Sequence, residues 1–149
     1  MTNKLSAILN ERQRQQIAMD SGTNMHARLG KVFCDVSGIW YGDADLVSRL
    51  SVVPELTELM GPLSKTEVPI AGKINGRFIS RRVDRLYVNR DTKIVVVLDY
   101  KTDTNKKTYY QKYAEQLNEY RELLKQIFRS FGIRCKILWT DDFTLENLN

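Results

Sequence analysis

The order and period of its apolar runs predict an α/β protein: N-terminal helices, then three consecutive strands, a long helix and a last strand, giving a mixed central sheet flanked by helices. Three observations carry this. Ile94, Val95, Val96, Val97 and Leu98 form an unbroken apolar run, as a central strand covered on both faces requires. Tyr113, Leu117, Tyr120, Leu124, Ile127 and Phe131 step by three or four, laying one apolar stripe along a helix. The length of 149 residues suits a single domain, 1–149, with a proper core.

Taken in order, residues 4 to 19 read as a helix rich in Arg12, Arg14 and glutamines, and Asp20 to Thr23 supplies a break and the next cap. A second helix runs to about Asp35, with His26, Leu29 and Phe33 sharing an inward apolar stripe. Residues 43 to 60 suggest two short helices, the second started at Pro54 and stopped by Gly61-Pro62. Strands are expected at about 66 to 71, 76 to 88 and 93 to 101. The long helix covers 108 to 131, ended by Gly132, and Ile133 to Trp139 is a final strand followed by a polar tail.

Lys and Arg total 23 against 18 Asp and Glu, a formal charge of +5 that suits a polyanionic partner. Cys34 and Cys135 are the only cysteines, so neither a disulfide framework nor a four-cysteine iron–sulfur cluster is expected. No apolar stretch resembles a signal peptide or a membrane span, so no membrane partner and a cytoplasmic location are expected. The chain has no G-x-x-x-x-G-K-[ST] phosphate loop and hence no motor of its own.

The segment VDRLYVNRDTKIVVVLDYK concentrates the chemistry. If a hairpin closes symmetrically about Asn89–Thr92, Val88 faces Lys93 and Asp84 faces Val97. Side chains alternate, so Asp84, Asp99 and Lys101 then share a face. The carboxylates become diagonal neighbours, roughly 7–8 Å apart at the backbone, a gap one divalent cation can bridge. An isolated D-x-K can equally be a surface ion pair. His26, the only histidine, can equally be a satisfied core residue, and Gln116 and Tyr120, spaced i, i+4, can be the polar edge and the stripe of a core helix.

Four separated elements decide between these readings: His26 in MHARLG, Asp84 in RRVDRL, Asp99 and Lys101 in LDYKTD, and Gln116 with Tyr120 in YAEQLNEY. In order and spacing they resemble the PD-(D/E)XK nuclease superfamily, most closely the RecB- and AddA-type nuclease domains attached to recombination helicases. The resemblance spans residues 26 to 120 and implies a restriction-endonuclease-like αβββαβ core. It implies a metal-dependent DNA nuclease acting on single strands or DNA ends in recombination and repair. The metal would be Mg²⁺, with Mn²⁺ tolerated, held by His26, Asp84, Asp99 and the backbone carbonyl of Tyr100. Asp84, Asp99 and Lys101 would be catalytic, with Gln116 and Tyr120 beside the metal. Such a nuclease without a motor would meet strands already opened or borrow a partner helicase.

Three further features bear on substrate. Arg82, expected on the strand face of Asp84, is a candidate phosphate contact, whereas Arg81 and Arg85 are expected on the opposite face. Lys106, Lys107, Tyr109, Tyr110, Lys112 and Tyr113 interleave bases and aromatics, which suits stacking on single-stranded DNA, or else form a solvated helix start. Glu67, one strand earlier, reads as structural. The competing class is a nuclease fold used as a nucleic-acid-binding or protein-interaction module without cleavage.

Overall fold

A computed structural model describes residues 2–148, except the side chains of residues 2, 3, 15 and 17–23. Helix α1 (Thr2–Gly30) is continuous through Asp20–Thr23, where a break was expected. Helix-poor residues there cost at most about 1 kcal/mol each, too little to stop a helix that goes on to bury Leu29 and pack Met25. It ends at Gly30, so Phe33 leaves the predicted stripe. It sits instead, exposed, in β1 (Phe33–Cys34), stacked on Tyr41 of β2 (Trp40–Tyr41) at 6.4 Å. Helices α2 (Ala44–Leu50) and α3 (Pro54–Leu59) follow. Asp43 caps α2 by accepting the Leu46 N–H at 3.1 Å and pairs with Arg28 at 2.9 Å, tying the end of α1 to the start of α2.

Five strands make the main sheet, in the spatial order β3 (Ser64–Ile74), β4 (Arg77–Asn89), β5 (Ile94–Lys101), β6 (Gly132–Trp139), β7 (Thr144–Leu148). Neighbours are antiparallel except β5 and β6, which are parallel because α4 (Lys106–Ile127) carries the chain across between them. The sheet is therefore mixed and flanked by helices. Strand β7 occupies the expected polar tail. It is an edge strand, with few side chains in the core, so its sequence carries little apolar signal. Helix α4 stops at Ile127; Phe128 and Phe131, 5.3 Å apart, pack together in the turn beyond it.

The β4–β5 hairpin closes two residues away from the expected register, with Val88 opposite Val95 and Leu86 opposite Val97. Lys93, at φ 55°, stays in the turn, where Asn89 Oδ1 accepts the N–H groups of Asp91 and Thr92 at 3.0 and 3.1 Å. A slip of two preserves which face each residue serves.

Two apolar cores result. Val95, Val97, Leu117, Leu123, Ile137 and Trp139 fill the space between the sheet and α4. Leu29, Leu46, Leu56, Met60, Val96 and Leu98 fill the space beneath α1–α3. Each such leucine contributes about 1.5–3 kcal/mol relative to leaving it exposed. Cys34 and Cys135 are buried free thiols. No helix among the described residues is long and apolar enough to cross a membrane.

Strand β4 changes allegiance along its length. Ile79 and Val83 pack on the α4 side, yet Arg85 and Tyr87, of the same alternation, reach the α1 side. The change falls at Asp84. The β3–β4 ladder skips the pair Glu67–Asp84, and Glu67 carries φ 52°, a conformation uncommon for a residue with a side chain.

Candidate active site at the end of the central strands

The β4–β5 ladder ends at Arg85 opposite Leu98. One residue further on, the carboxylate of Asp84 replaces the next rung: its Oδ2 accepts the Tyr100 N–H at 2.8 Å. A strand residue directs its N–H and C=O to the same side. The Tyr100 carbonyl therefore also points toward β4, past the end of the ladder. The open end of these two strands holds everything that follows.

Three elements converge there. From α1, His26 Nε2 lies 3.3 Å from Asp84 Oδ2, with its ring edge-on to Tyr100 at 5.6 Å. From β5, Asp99 and Lys101 face α4, with Lys101 Nζ 2.9 Å from Asp99 Oδ2. From α4, Gln116 Oε1 accepts from Lys101 Nζ at 2.9 Å, while Gln116 Nε2 donates to the Tyr120 hydroxyl at 2.8 Å. The ring of Tyr113 lies 4.4 Å from Lys101 Nζ, a cation–π contact. Asp84, Asp99, Lys101, Gln116, Tyr120 and His26 are thus one cluster.

The electrostatics are uneven. Burial pushes the Asp99 carboxyl up to about 7, reinforced by the charge of Asp84 and opposed by that of Lys101. Burial alone would also raise Asp84, but the His26 contact and the Tyr100 amide outweigh it and hold the group below its ordinary value. The Tyr120 phenol is pushed up to about 12 by burial and by the nearby charges of Asp99 and Asp84. Asp99 Oδ2 is buried, and the Lys101 ammonium lies 2.9 Å from it.

The closeness of the two carboxylates bears on whether these residues suit a metal. Two interacting carboxylates side by side are hard oxygen donors of the kind Mg²⁺ and Mn²⁺ take. Among the described residues, no three His, Cys, Asp or Glu side chains close into a ligand group. In this geometry the imidazole is the partner of Asp84. His26, Asp84 and Asp99, the side chains expected to hold a cation, lie together here, with the Tyr100 carbonyl on the same side.

Other predicted residues lie elsewhere. Arg82 is exposed, on the opposite face from Arg81. Arg81, expected to point away from the site, is the one beside Lys101. It pairs with Glu119 of α4 at 2.5 Å and helps line a cleft of about 470 Å³ with Lys101, Lys112, Tyr113 and Gln116. The switch of faces at Asp84 is the reason. Glu67 points to solvent.

Lys106 is already paired with carboxylates: its ammonium meets Asp142 at 2.7 Å and Asp141 at 3.5 Å and lies 5.4 Å from the Trp139 ring. The hydrogen bond from Lys106 to Asp142 raises the pKa of the lysine. Lys107 and Tyr110 line a separate cleft with Lys106 and Glu146. Tyr113 donates to Asp103, so that half-buried ring is fixed beside Lys101 at the edge of the cleft.

Sequence reading missed Arg85, which is 3% exposed. It donates to Val32 O at 2.8 Å, Leu29 O at 3.2 Å, Ser64 Oγ at 3.1 Å and the Tyr100 hydroxyl at 2.9 Å. Its place one residue after Asp84 in an apolar stretch was the only signal.

No family model matches the chain, and no curated protein is similar to it in sequence.

Proposed function

We propose that the chain is a metal-dependent nuclease built on a restriction-endonuclease-like core, hydrolysing phosphodiester bonds of DNA, with single strands or ends as substrates. The observation that carries this is the meeting of two interacting carboxylates, Asp84 and the buried Asp99, with a lysine whose position is set by Gln116. Bound Mg²⁺ or Mn²⁺ would supply the Lewis acidity that lowers the pKa of water and offsets charge on the phosphoryl oxygens.

The rest of the chemistry belongs to the chain. Asp84 and Asp99 are the anionic anchor. Lys101 has three N–H donors; one is held by Gln116 Oε1, one faces Asp99 Oδ2, and the third can reach a scissile phosphate as negative charge develops on it. Tyr120 fixes Gln116, and Gln116 fixes Lys101, so the ammonium is positioned before substrate arrives. His26 holds the Asp84 carboxylate in its ionised form.

A non-cleaving binding module is the second reading. It is favoured by one observation, that Lys101 closes directly on Asp99 as a compact ion pair. The test is labelled single-stranded, duplex and circular DNA incubated with Mg²⁺, Mn²⁺ or EDTA, alongside calorimetric titration of Mn²⁺ into wild-type protein and Asp99→Asn. Cleavage that needs the cation, with Mn²⁺ binding abolished in the variant, is expected. Binding of DNA without cleavage in either metal would favour the module.

A further inference from the structure

The outer half of the β3–β4 ribbon has one covered and one uncovered face. Ile70, Gly72, Ile79 and Val83 turn toward α4, where Leu123 and Gln126 approach Gly72 so closely that a Cβ there would lie 3.1 and 2.6 Å from their side chains. On the other face Pro69, Ala71, Lys73, Phe78, Ser80 and Arg82 are all exposed. α1–α3 cover the sheet over the inner part of β4, strands β5 and β6 and, through Leu145, part of β7.

This bare face has a definite chemistry. Phe78 is 71% exposed and stands opposite Lys73; Ser80 stands opposite Ala71, leaving a shallow step; Arg82 follows, two residues from Asp84. Of the four basic residues from Val68 to Val83, Lys73 and Arg82 lie on this face, and that stretch has no acidic residue. Among the described residues neither Lys73 nor Arg82 has a carboxylate partner, unlike Arg81 and Lys106. The ribbon is closed by a two-residue Asn75-Gly76 turn with φ 52° and 78°, the tight form whose twist matches paired strands. At about 3.3 Å per residue the line from Phe78 to Asp84 is roughly 20 Å, the span of about six stacked nucleotides.

We propose that Lys73, Phe78, Ser80 and Arg82 form a track along which one DNA strand runs into the Asp84–Asp99 site. Phe78 is the stacking platform for a base at the far end, and Lys73 and Arg82 neutralise phosphates on either side of the Ser80–Ala71 step. The proposal rests on the nuclease reading for where the strand leads, whereas the binding it describes can be measured without cleavage.

The experiment is fluorescence anisotropy of the full chain with labelled oligothymidylate in EDTA, across a salt series, with oligouridylate and duplex DNA as parallel probes. Cleavage in Mn²⁺ is scored separately. Phe78→Leu should weaken oligothymidylate binding about 5- to 100-fold, and Phe78→Trp should restore it, because stacking rather than apolar bulk is involved. The double variant Lys73→Ala, Arg82→Ala should make the salt slope shallower by roughly 1.4, about 0.7 for each phosphate no longer neutralised. Circular dichroism melts of these exposed-site variants should match wild type.

Unchanged binding in Phe78→Leu, an unchanged salt slope, or tighter binding of oligouridylate or duplex than of oligothymidylate would each overturn the track. Wild-type protein that binds as expected but cuts nothing in Mn²⁺ would remove the nuclease reading and leave the track standing. Metal-dependent cutting with Phe78→Leu indistinguishable from wild type would do the reverse.

Discussion

The two halves of β4 obey different rules. From Arg77 to Arg82 the strand is a largely exposed ribbon rich in positive charge; from Val83 to Asn89 it is a core strand with Val83, Arg85, Leu86 and Tyr87 buried. Arg82 and Arg85, three residues apart, show the contrast. One is open to solvent and the other ties four acceptors together. The same residue type is thus open to solvent in one half and replaces packing in the other. Asp84 stands at the junction, where neither the ladder nor the alternation is regular, and this frees its carboxylate to serve another strand.

The widest separation between the halves should appear in stability. Arg85→Ala strips a buried network and is expected to cost about 3–5 kcal/mol, whereas Arg82→Ala should stay within about 0.5 kcal/mol. Urea unfolding of the two variants measures the difference; equal midpoints would erase the distinction. In the site itself, Lys101→Met should lower the cleavage rate about 10²–10³-fold, as one removed donor does elsewhere. It should leave oligothymidylate affinity near wild type, in contrast to the ribbon variants.

A smaller effect concerns pH in EDTA. Asp99 holds its proton up to about 7 in the folded chain but only to about 3.8 when unfolded. Native stability should therefore be greatest at acid pH as far as this group is concerned, and decline as pH rises through that window. Asp99→Asn should flatten the decline in thermal melts between pH 4 and 8. Smallest of all, Lys106→Ala removes only a surface ion pair, worth about 0–1 kcal/mol. Since Asp142 and Asp141 already neutralise this lysine, the salt slope of DNA binding should not move.

Much of the cluster could be read from periodicity. A period of two puts Asp99 and Lys101 on one side of β5, and i, i+4 spacing puts Gln116 beside Tyr120, whatever the exact hairpin register. A two-residue slip leaves those relations intact. What periodicity could not supply was the interruption of the period. The positive φ at Glu67 and the skipped rung at Asp84 decide that Arg81 rather than Arg82 accompanies Lys101, and no residue type announces them. The burial of Arg85 and the neutralisation of Lys106 depend on partners 15 to 56 and 36 residues away, which local patterns do not encode. Strand β7 was hidden for a different reason: an edge strand needs little apolar sequence.

Arg85 also bears on the motions open to the molecule. Two of its acceptors are carbonyls at and just beyond the end of α1, so a β-strand side chain finishes that helix, and the same guanidinium holds the hydroxyl of Tyr100. Withdrawing the last turn of α1 would leave a permanently charged group in the interior with its partners gone. The segment carrying His26 therefore has no inexpensive way to breathe. Amide hydrogens of the last turn of α1 should exchange with the same opening free energy as those of β5, as one cooperative unit.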